Sequence, residues 1–481
     1  MHSDMQKERS RPRSLVPTVI GYGLMVLVTI VAFLLIRSYG ETLLAPTAAE
    51  GVHVAASVQA SNVLLRVLVA LTAIIVTGQM LGWVFAYLNQ PPVIGEVVAG
   101  ILLGPSLLGP EVSALVLPPS VAPYLGIIAQ LGVVLYMFLV GLELNPALLK
   151  QRAHTTVATS HASILAPFIL GALLALLLYP RVSSSDVSFT SFALFMGVSM
   201  SITAFPVLAR ILTDYRMSRT RLGVLALSCA AIDDVTAWCL LAFVVGIAKA
   251  EMGQGLFVAF GALAFITFMF LLGRPILQWV AVRWDGEAQT RGATTLVFVA
   301  LLLSSLAAEV IGIHAIFGAF LLGAVIPHDS TVARALTRQL EPVVTILLLP
   351  AFFALTGMRT RIDLLYEPGQ WLICAVIIMT AVIGKFGGTL VAARLTGLHW
   401  RDAAILGTLM NTRGLMELIV LNVGLDLHVI TPTLFAMMVL MALVTTMMTA
   451  PVVRLLNLRP ALEEEPDTMA ETWSKKSQGG W

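Results

Sequence analysis

Two adjacent aspartates, Asp233 and Asp234, sit in the middle of the apolar stretch AAIDDVTAWCLLAFV, about four turns from either end of the helix it would form. One aspartate at the centre of a bilayer costs about 2.5–3.5 kcal/mol on insertion scales, and two neighbours also repel each other. A carboxylate is both a hard oxygen ligand and a proton acceptor, so a buried one can alternate between a desolvated cation and a proton. A structurally neutralised pair is the bland alternative. Lys385, in VIGKFGGTLVAAR, is the only basic residue well inside its segment, and one of the two aspartates is its natural partner. Snorkelling to the interface is the other reading of that lysine. Successive residues on a helix point about 100° apart, so the two aspartates cannot both face one lysine. One pairs and the other stays free for a cation.

Further groups need placing. Glu96, Glu309, His314 and Glu417 read either as proton relays or as helix-end groups, and Arg413 balances buried carbonyls or Glu417. No HExxH, Walker or GxSxG pattern occurs, and Cys229, Cys239 and Cys374 lack CxxC spacing. Neither a metal cluster nor a disulfide framework is indicated, no cofactor is expected, and the chain reads as a non-enzyme. An intramembrane aspartyl protease also buries two aspartates, but it needs a carboxylate dyad facing one scissile bond. Neighbours on one helix diverge, and no second segment offers another central aspartate. A cation channel or sensor stays as the alternative to a transporter.

Such groups need elements that hold them away from lipid. The 481 residues are 58% hydrophobic and only 12% charged, with a net charge of +2, and the mean hydropathy is +0.91. A soluble domain carries about twice that charge fraction. The chain is therefore an all-α polytopic membrane protein, embedded in lipid. Soluble enzymes, disordered chains and nucleic-acid binders are excluded, since no long basic tract exists beyond the N-terminal KERSRPR. With about 20 apolar residues per crossing, fourteen spans are predicted: 17–37, 62–88, 92–108, 121–142, 155–179, 190–212, 220–247, 255–282, 293–311, 313–327, 343–357, 370–394, 401–424 and 430–456. The first is too long for a signal-peptide core and lacks a cleavage site after it. With the N-terminus inside, twenty of the 29 Lys and Arg residues fall on the inner side. Six fall outside (Arg37, Arg66, Arg181, Lys249, Arg359 and Arg361), and Arg274, Lys385 and Arg413 lie within spans. That asymmetry predicts two cytoplasmic termini.

Three pairs of segments match at nearly constant offset. Ile101-Leu-Leu-Gly104 recurs as Phe320-Leu-Leu-Gly323, FLVGLELNPALL (138–149) as FALTGMRTRIDLL (353–365), and MGVSMSITAFPVL (196–208) as LGTLMNTRGLMEL (406–418), at offsets of 219, 216 and 210. Partners lie seven spans apart, so the copies are inverted: spans 2–7 (62–247) oppose spans 9–14 (293–456), with span 8 (255–282) as linker and span 1 as an extra. Inverted repeats are a secondary-transporter signature. Spans 6 and 13 are both interrupted. The first carries Ser199, Ser201, Thr203 and Pro206, with the break expected at the proline. The second carries Asn411, Thr412, Arg413 and Gly414. Irregular backbone at that depth survives only inside protein or beside a water-filled cavity. A proline kink and a packing glycine are the simpler reading of either one alone.

The motifs GEVVAGILLGPSLLG, FLVGLELN, SITAFPVLARIL, AAIDDVTAW, GKFGGT and NTRGLMELIVLNVG, between about residues 75 and 455, resemble the monovalent cation:proton antiporter superfamily. The branch in question holds bacterial sodium/proton antiporters, Kef-type systems and plant cation/proton exchangers. The resemblance implies an inverted-repeat antiporter fold of about 13–14 transmembrane helices, with a dimerisation panel, a mobile core and two crossing broken helices. It implies exchange of Na+ or K+ for protons by alternating access, in a homodimer that serves pH homeostasis, and the Asp233–Lys385 pairing adds the expectation that exchange is electrogenic. By position, Asp234 is implied as the cation- and proton-binding carboxylate and Asp233 as the partner of Lys385. Thr203 is implied beside the ion; from the residues themselves Ser201 is expected to join it, Arg413 and Glu417 to be charge-compensating with Lys385, and Glu96 to be a possible accessory. The chain shows no stretch for the nucleotide-binding domain of Kef-type proteins, and Asp233 stands where plant-type exchangers carry Asn. The sodium members' span-13 pattern appears as NTRG, with Glu417 displaced. The expected layout is a cytoplasmic N-terminus, first span and outer loop (1–60), the antiporter domain (61–457) and a short cytoplasmic tail (458–481), in a bacterial inner membrane.

Overall fold

The computed structural model describes residues 15–43, 63–88, 90–143, 153–215, 217, 220–249, 255–283, 291–327 and 330–456. The basic N-terminal segment, the end of FLVGLELNPALL and the tail lie outside the described residues. Within them every element is helical: α1 Leu15–Gly40, α2 Val63–Tyr87, α3 Pro92–Leu103, α4 Pro105–Val116, α5 Ala122–Glu143, α6 Ala153–Val182, α7 Phe189–Ser201, α8 Phe205–Asp214, α9 Arg221–Lys249, α10 Gly255–Phe268, α11 Arg274–Arg283, α12 Arg291–Ile311, α13 Ala315–Val325, α14 Thr331–Val343, α15 Leu349–Arg359, α16 Pro368–Val382, α17 Gly388–Leu395, α18 Trp400–Met410, α19 Leu415–Asp426 and α20 Pro432–Leu456. Single π-turns join α10 to α11, α14 to α15 and α16 to α17. Nine helices among the described residues are long and apolar enough to cross a membrane. Two bent pairs and three shorter apolar helices supply the rest of the fourteen expected segments. Only a helix satisfies its own backbone in lipid, which is why apolar segments of this length fold this way.

Two segments depart from expectation. The span predicted at 92–108 is bent by 65° between α3 and α4. Gly104 is extended (φ −73°, ψ 169°) and Pro105 follows it, so the helix cannot run on. The Ser113 hydroxyl then donates to the orphan Leu103 carbonyl at 2.8 Å, and Ser106 donates to Asp363 at 2.8 Å. The span predicted at 343–357 begins a dozen residues earlier, at Thr331, capped by the Ser330 hydroxyl on the Ala333 N–H. Its first turns are amphipathic, so a hydropathy window misses them.

The helices pack as two groups, α2–α5 with α12–α15, and α6–α9 with α16–α20, while α10 and α11 run between them. Close backbone approach sets the first group. A Cβ at Gly141 would lie 2.3 Å from the Phe320 carbonyl, and one at Gly323 would lie 2.3 Å from the Phe138 carbonyl, so α5 and α13 touch backbone to backbone. Likewise a Cβ at Gly357 would lie 2.4 Å from the Ile101 amide, where α15 meets α3. The sequence matches put Gly323 on Gly104 and Gly357 on Gly141. The inverted repeat therefore exchanges these two helix contacts, which supports its reading from sequence.

Candidate functional site

Among the described residues the buried charged side chains, Asp233, Asp234, Lys385, Arg413 and Glu417, all belong to the second group, around two helix breaks that meet inside it. Helix α7 ends at Ser201, Ile202 is extended, residues 202–204 are non-helical, and α8 starts at Phe205. The break thus precedes Pro206, which opens the second half-helix instead of interrupting the first. A proline fits the first turn of a helix, where no backbone donor is needed, and disfavours helix in the residue before it. In the other repeat the chain is non-helical over 411–414, between α18 and α19, as the polar run predicts. The two breaks meet: the Ala204 amide donates to the Thr412 carbonyl at 3.0 Å, and the Thr203 Oγ1 lies 3.1 Å from the Met410 carbonyl oxygen.

Two buried cations take the last three carbonyls of helix α7. Arg413 donates to Ser199 O at 2.8 Å and to Met200 O at 2.7 Å, and Lys385 Nζ donates to Ser201 O at 2.5 Å. A cation at a helix C-terminus is favoured by the helix dipole. Both side chains are 0% exposed, so each needs an anion as well. Arg413 pairs with Glu417 at 2.7 Å, in the first turn of α19. Lys385 pairs with Asp233 at 3.0 Å and also donates to Ser163 O at 3.0 Å. Its three N–H groups thus have three acceptors.

Asp233 collects more donors than the lysine. Ser160 donates to its Oδ1 at 2.6 Å, and Ser163 and Thr203 to its Oδ2 at 2.7 and 2.9 Å. Sequence reasoning misses the two serines on α6, although a signal exists. Thr156, Thr159, Ser160 and Ser163 recur at helical spacing in an otherwise apolar segment. Thr203 and Ser201, expected beside the ion, both lie at the Asp233–Lys385 pair, Ser201 through its backbone carbonyl. The Thr203 hydroxyl goes to Asp233, while the Ser201 hydroxyl goes to Ile164 O and Gly197 O.

Lys385 reaches that depth because it stands in the π-turn Ile383–Gly387, packed close on α6. A Cβ at Gly384 would lie 2.8 Å from Pro167 Cα, and one at Gly388 2.6 Å from Ala166 Cβ. Gly384 and Gly388 of GKFGGT are thus what lets α6 approach the π-turn and the start of α17. One-turn π-bulges recur at functional sites.

Asp234 is different. Its carboxylate accepts the backbone N–H of Phe205, at the positive end of half-helix α8. Its Oδ1 is buried without a hydrogen-bond partner, as is Asn411 Oδ1 in the other break. Asp233 and Asp234 therefore form no catalytic dyad, since four donors occupy the first and none of them bonds to the second. Around the crossing, Lys385 and Arg413 are matched by Asp233 and Glu417, and Asp234 is left over. One unmatched carboxylate at the ends of two half-helices is suited to one monovalent cation or one proton.

The other candidates lie elsewhere. Glu96 stands half-buried on α3, in the first helix group, near Gly78 of α2. Glu309 accepts the Ala315 amide at 2.9 Å and His314 Nδ1 the Ile316 amide at 3.4 Å, so both cap the start of α13.

Residues 67–455 match the family model described as sodium/hydrogen exchanger, transmembrane. The chain is 42% identical over 407 residues to the Na(+)/H(+) antiporter NhaS4 of Synechocystis, covering 83% of this chain and 99% of that one. It is 37% identical to the cation/H(+) antiporter 20 of Arabidopsis thaliana over 82% of this chain, and 33% identical to the K(+)/H(+) antiporter 1 of Saccharomyces cerevisiae over 80% of it. The chain spans about half the length of these plant and yeast relatives, 48% and 46%. A sodium proton antiporter structure from Methanocaldococcus jannaschii shares the fold, with a TM-score of 0.59 at 15% identity over 82% of this chain and 99% of that one.

Proposed function

The chain belongs to the sodium/hydrogen exchanger family, and from that premise we propose that it exchanges a monovalent cation, Na+ or K+, for protons by alternating access at Asp234. The observation that carries this is the unmatched carboxylate: Asp233 and Glu417 each have a buried cation, whereas Asp234 Oδ1 has no partner. Cation and proton then compete for one group, and each state is neutral enough to move with the core. The test is ion-driven proton flux in proteoliposomes. Flux that reverses when the cation gradient is reversed is expected, and flux that ignores the gradient would overturn exchange.

Electrogenic exchange is part of the reading. A cation arriving at Asp234 competes for the neighbouring Asp233 and loosens Lys385, whose proton then joins the cycle. Two protons against one cation move one net charge, to which each 100 mV contributes about 2.3 kcal/mol. A homodimer is also part of it, with the first helix group fixed and the second moving. We further place the protein in a bacterial plasma membrane with both termini cytoplasmic.

A further inference from the structure

At the face of the bundle opposite the C-terminal end of α20, the two helix groups are tied by side chains. Arg359 closes α15 in the first group. Asn422 and Asp426 lie on the last turns of α19, the half-helix that begins at the break in the second group. Arg359 Nη1 donates to Asp426 Oδ1 at 2.8 Å and to Asn422 Oδ1 at 3.0 Å. One turn deeper, Asn422 Nδ2 donates to Thr356 Oγ1 at 2.8 Å, and both residues are buried. The clasp therefore has two layers. The buried hydrogen bond fixes the register of α19 on α15, and the half-exposed ion pair, at 40% and 48%, covers it.

A cavity of about 60 Å³ opens beside the clasp, large enough for a few waters. It is lined by Gly126, Gln130 and His314 as well as by the clasp, and it runs along α19 as far as Ile419. From Asp426 to Ile419 is about 10 Å of helix, directed toward the break that faces Asp234. Arg359 sits at this cavity as a tethered cation on the oxygens of Asn422 and Asp426, which are hard-ligand groups for a free one.

We propose that Arg359, Asn422, Asp426 and Thr356 form a gate that closes this face of the transport path by clamping the two helix groups together, and that releases when the second group shifts. The charge asymmetry of the loops assigns this face to the outside. The repeat offsets put Glu143 at the position of Arg359 and Arg216 at that of Asp426 in the sequence, acid and base exchanged. The proposal rests on the exchange reading but is tested apart from it.

The experiment is side-specific labelling. Gly126→Cys places a thiol at the cavity where an added Cβ meets nothing within 4 Å. An impermeant maleimide is added outside intact cells, with background taken from protein lacking that substitution. Labelling should quicken by roughly fivefold with Asp426→Asn, the upper end of what a half-exposed ion pair returns. The charge-exchanged Arg359→Asp/Asp426→Arg variant should return it toward the starting rate. If Asp426→Asn does not fold, Arg359→Gln reads the same contact from the other helix with the same expectation. An unchanged labelling rate in whichever variant folds overturns the gate. Loss of cation-driven proton flux in the unmodified protein would sink exchange and leave the labelling difference untouched.

Discussion

Asp234 and Asp233 are neighbours in sequence and opposites in environment, which makes them separable by mutation. Asp234→Asn keeps the volume and the Phe205 hydrogen bond but cannot cycle a proton, so exchange should vanish while the detergent-solubilised protein still elutes as a folded species. Near-normal transport by that variant would remove Asp234 from the centre of the mechanism. If proton and cation share this one carboxylate, the apparent KM for the cation should rise as pH falls, approaching tenfold per pH unit on the acid side, where 1.36 kcal/mol is one unit. A KM flat with pH would contradict a shared site. Ser160→Ala or Ser163→Ala strips a donor from buried Asp233, which should cost about 1–3 kcal/mol in stability, read as a lower melting temperature.

At the scale of elements, the glycines around Lys385 make a sharp contrast. Gly388→Ala would drive a methyl to 2.6 Å from Ala166 Cβ and 2.9 Å from Ala162 O, parting α17 from α6. The π-turn would then carry Lys385 off its acceptors, and both exchange rate and melting temperature should fall. Gly387→Ala, one residue away, meets nothing within 4 Å and should be tolerated. Equal effects of the two would mean that close packing is not what seats the lysine. Arg413→Ala is the corresponding test for the second break. It leaves Glu417 buried without its cation and the last carbonyls of α7 unpaired, a loss of about 3–5 kcal/mol. Restored folding when Glu417→Leu is added would identify that pair as scaffold.

For the whole molecule, charge movement decides what Lys385 does. Currents on a solid-supported membrane should accompany wild-type exchange, and Lys385→Gln should reduce or abolish them. Exchange that persists without charge movement would make the Asp233–Lys385 pair purely structural. The proposed cycle keeps the first helix group fixed while the second shifts, and α2 on that first group exposes Leu64, Leu65, Leu68 and Trp83 outward, a surface for lipid or for a second copy. Native mass measurement in lipid should find a dimer, and monomer alone would count against a fixed panel.

Much of this is written in local chemistry. An apolar run of about 20 residues has to become a helix in lipid, so the nine helices long enough to cross and the two bent pairs among the described residues are legible as apolar segments in the amino-acid sequence. Adjacent residues diverge on a helix, so one aspartate has to pair and the other stay free. Runs such as NTRG cannot continue a helix cheaply, so the break at 411–414 is legible too. Other features need the third dimension. The break before Pro206 and the π-turn at Lys385 depend on partners distant in sequence, Thr412 for the first and α6 for the second, and the bend that Gly104 and Pro105 start locally is held by distant Asp363 through Ser106. The serines that hold Asp233 lie 73 and 70 residues from it, and Arg359 meets Asp426 across two helix groups 67 positions apart. A chain can state which residues must not face lipid. Which of them face one another is settled only when helices from both repeats close around the same crossing.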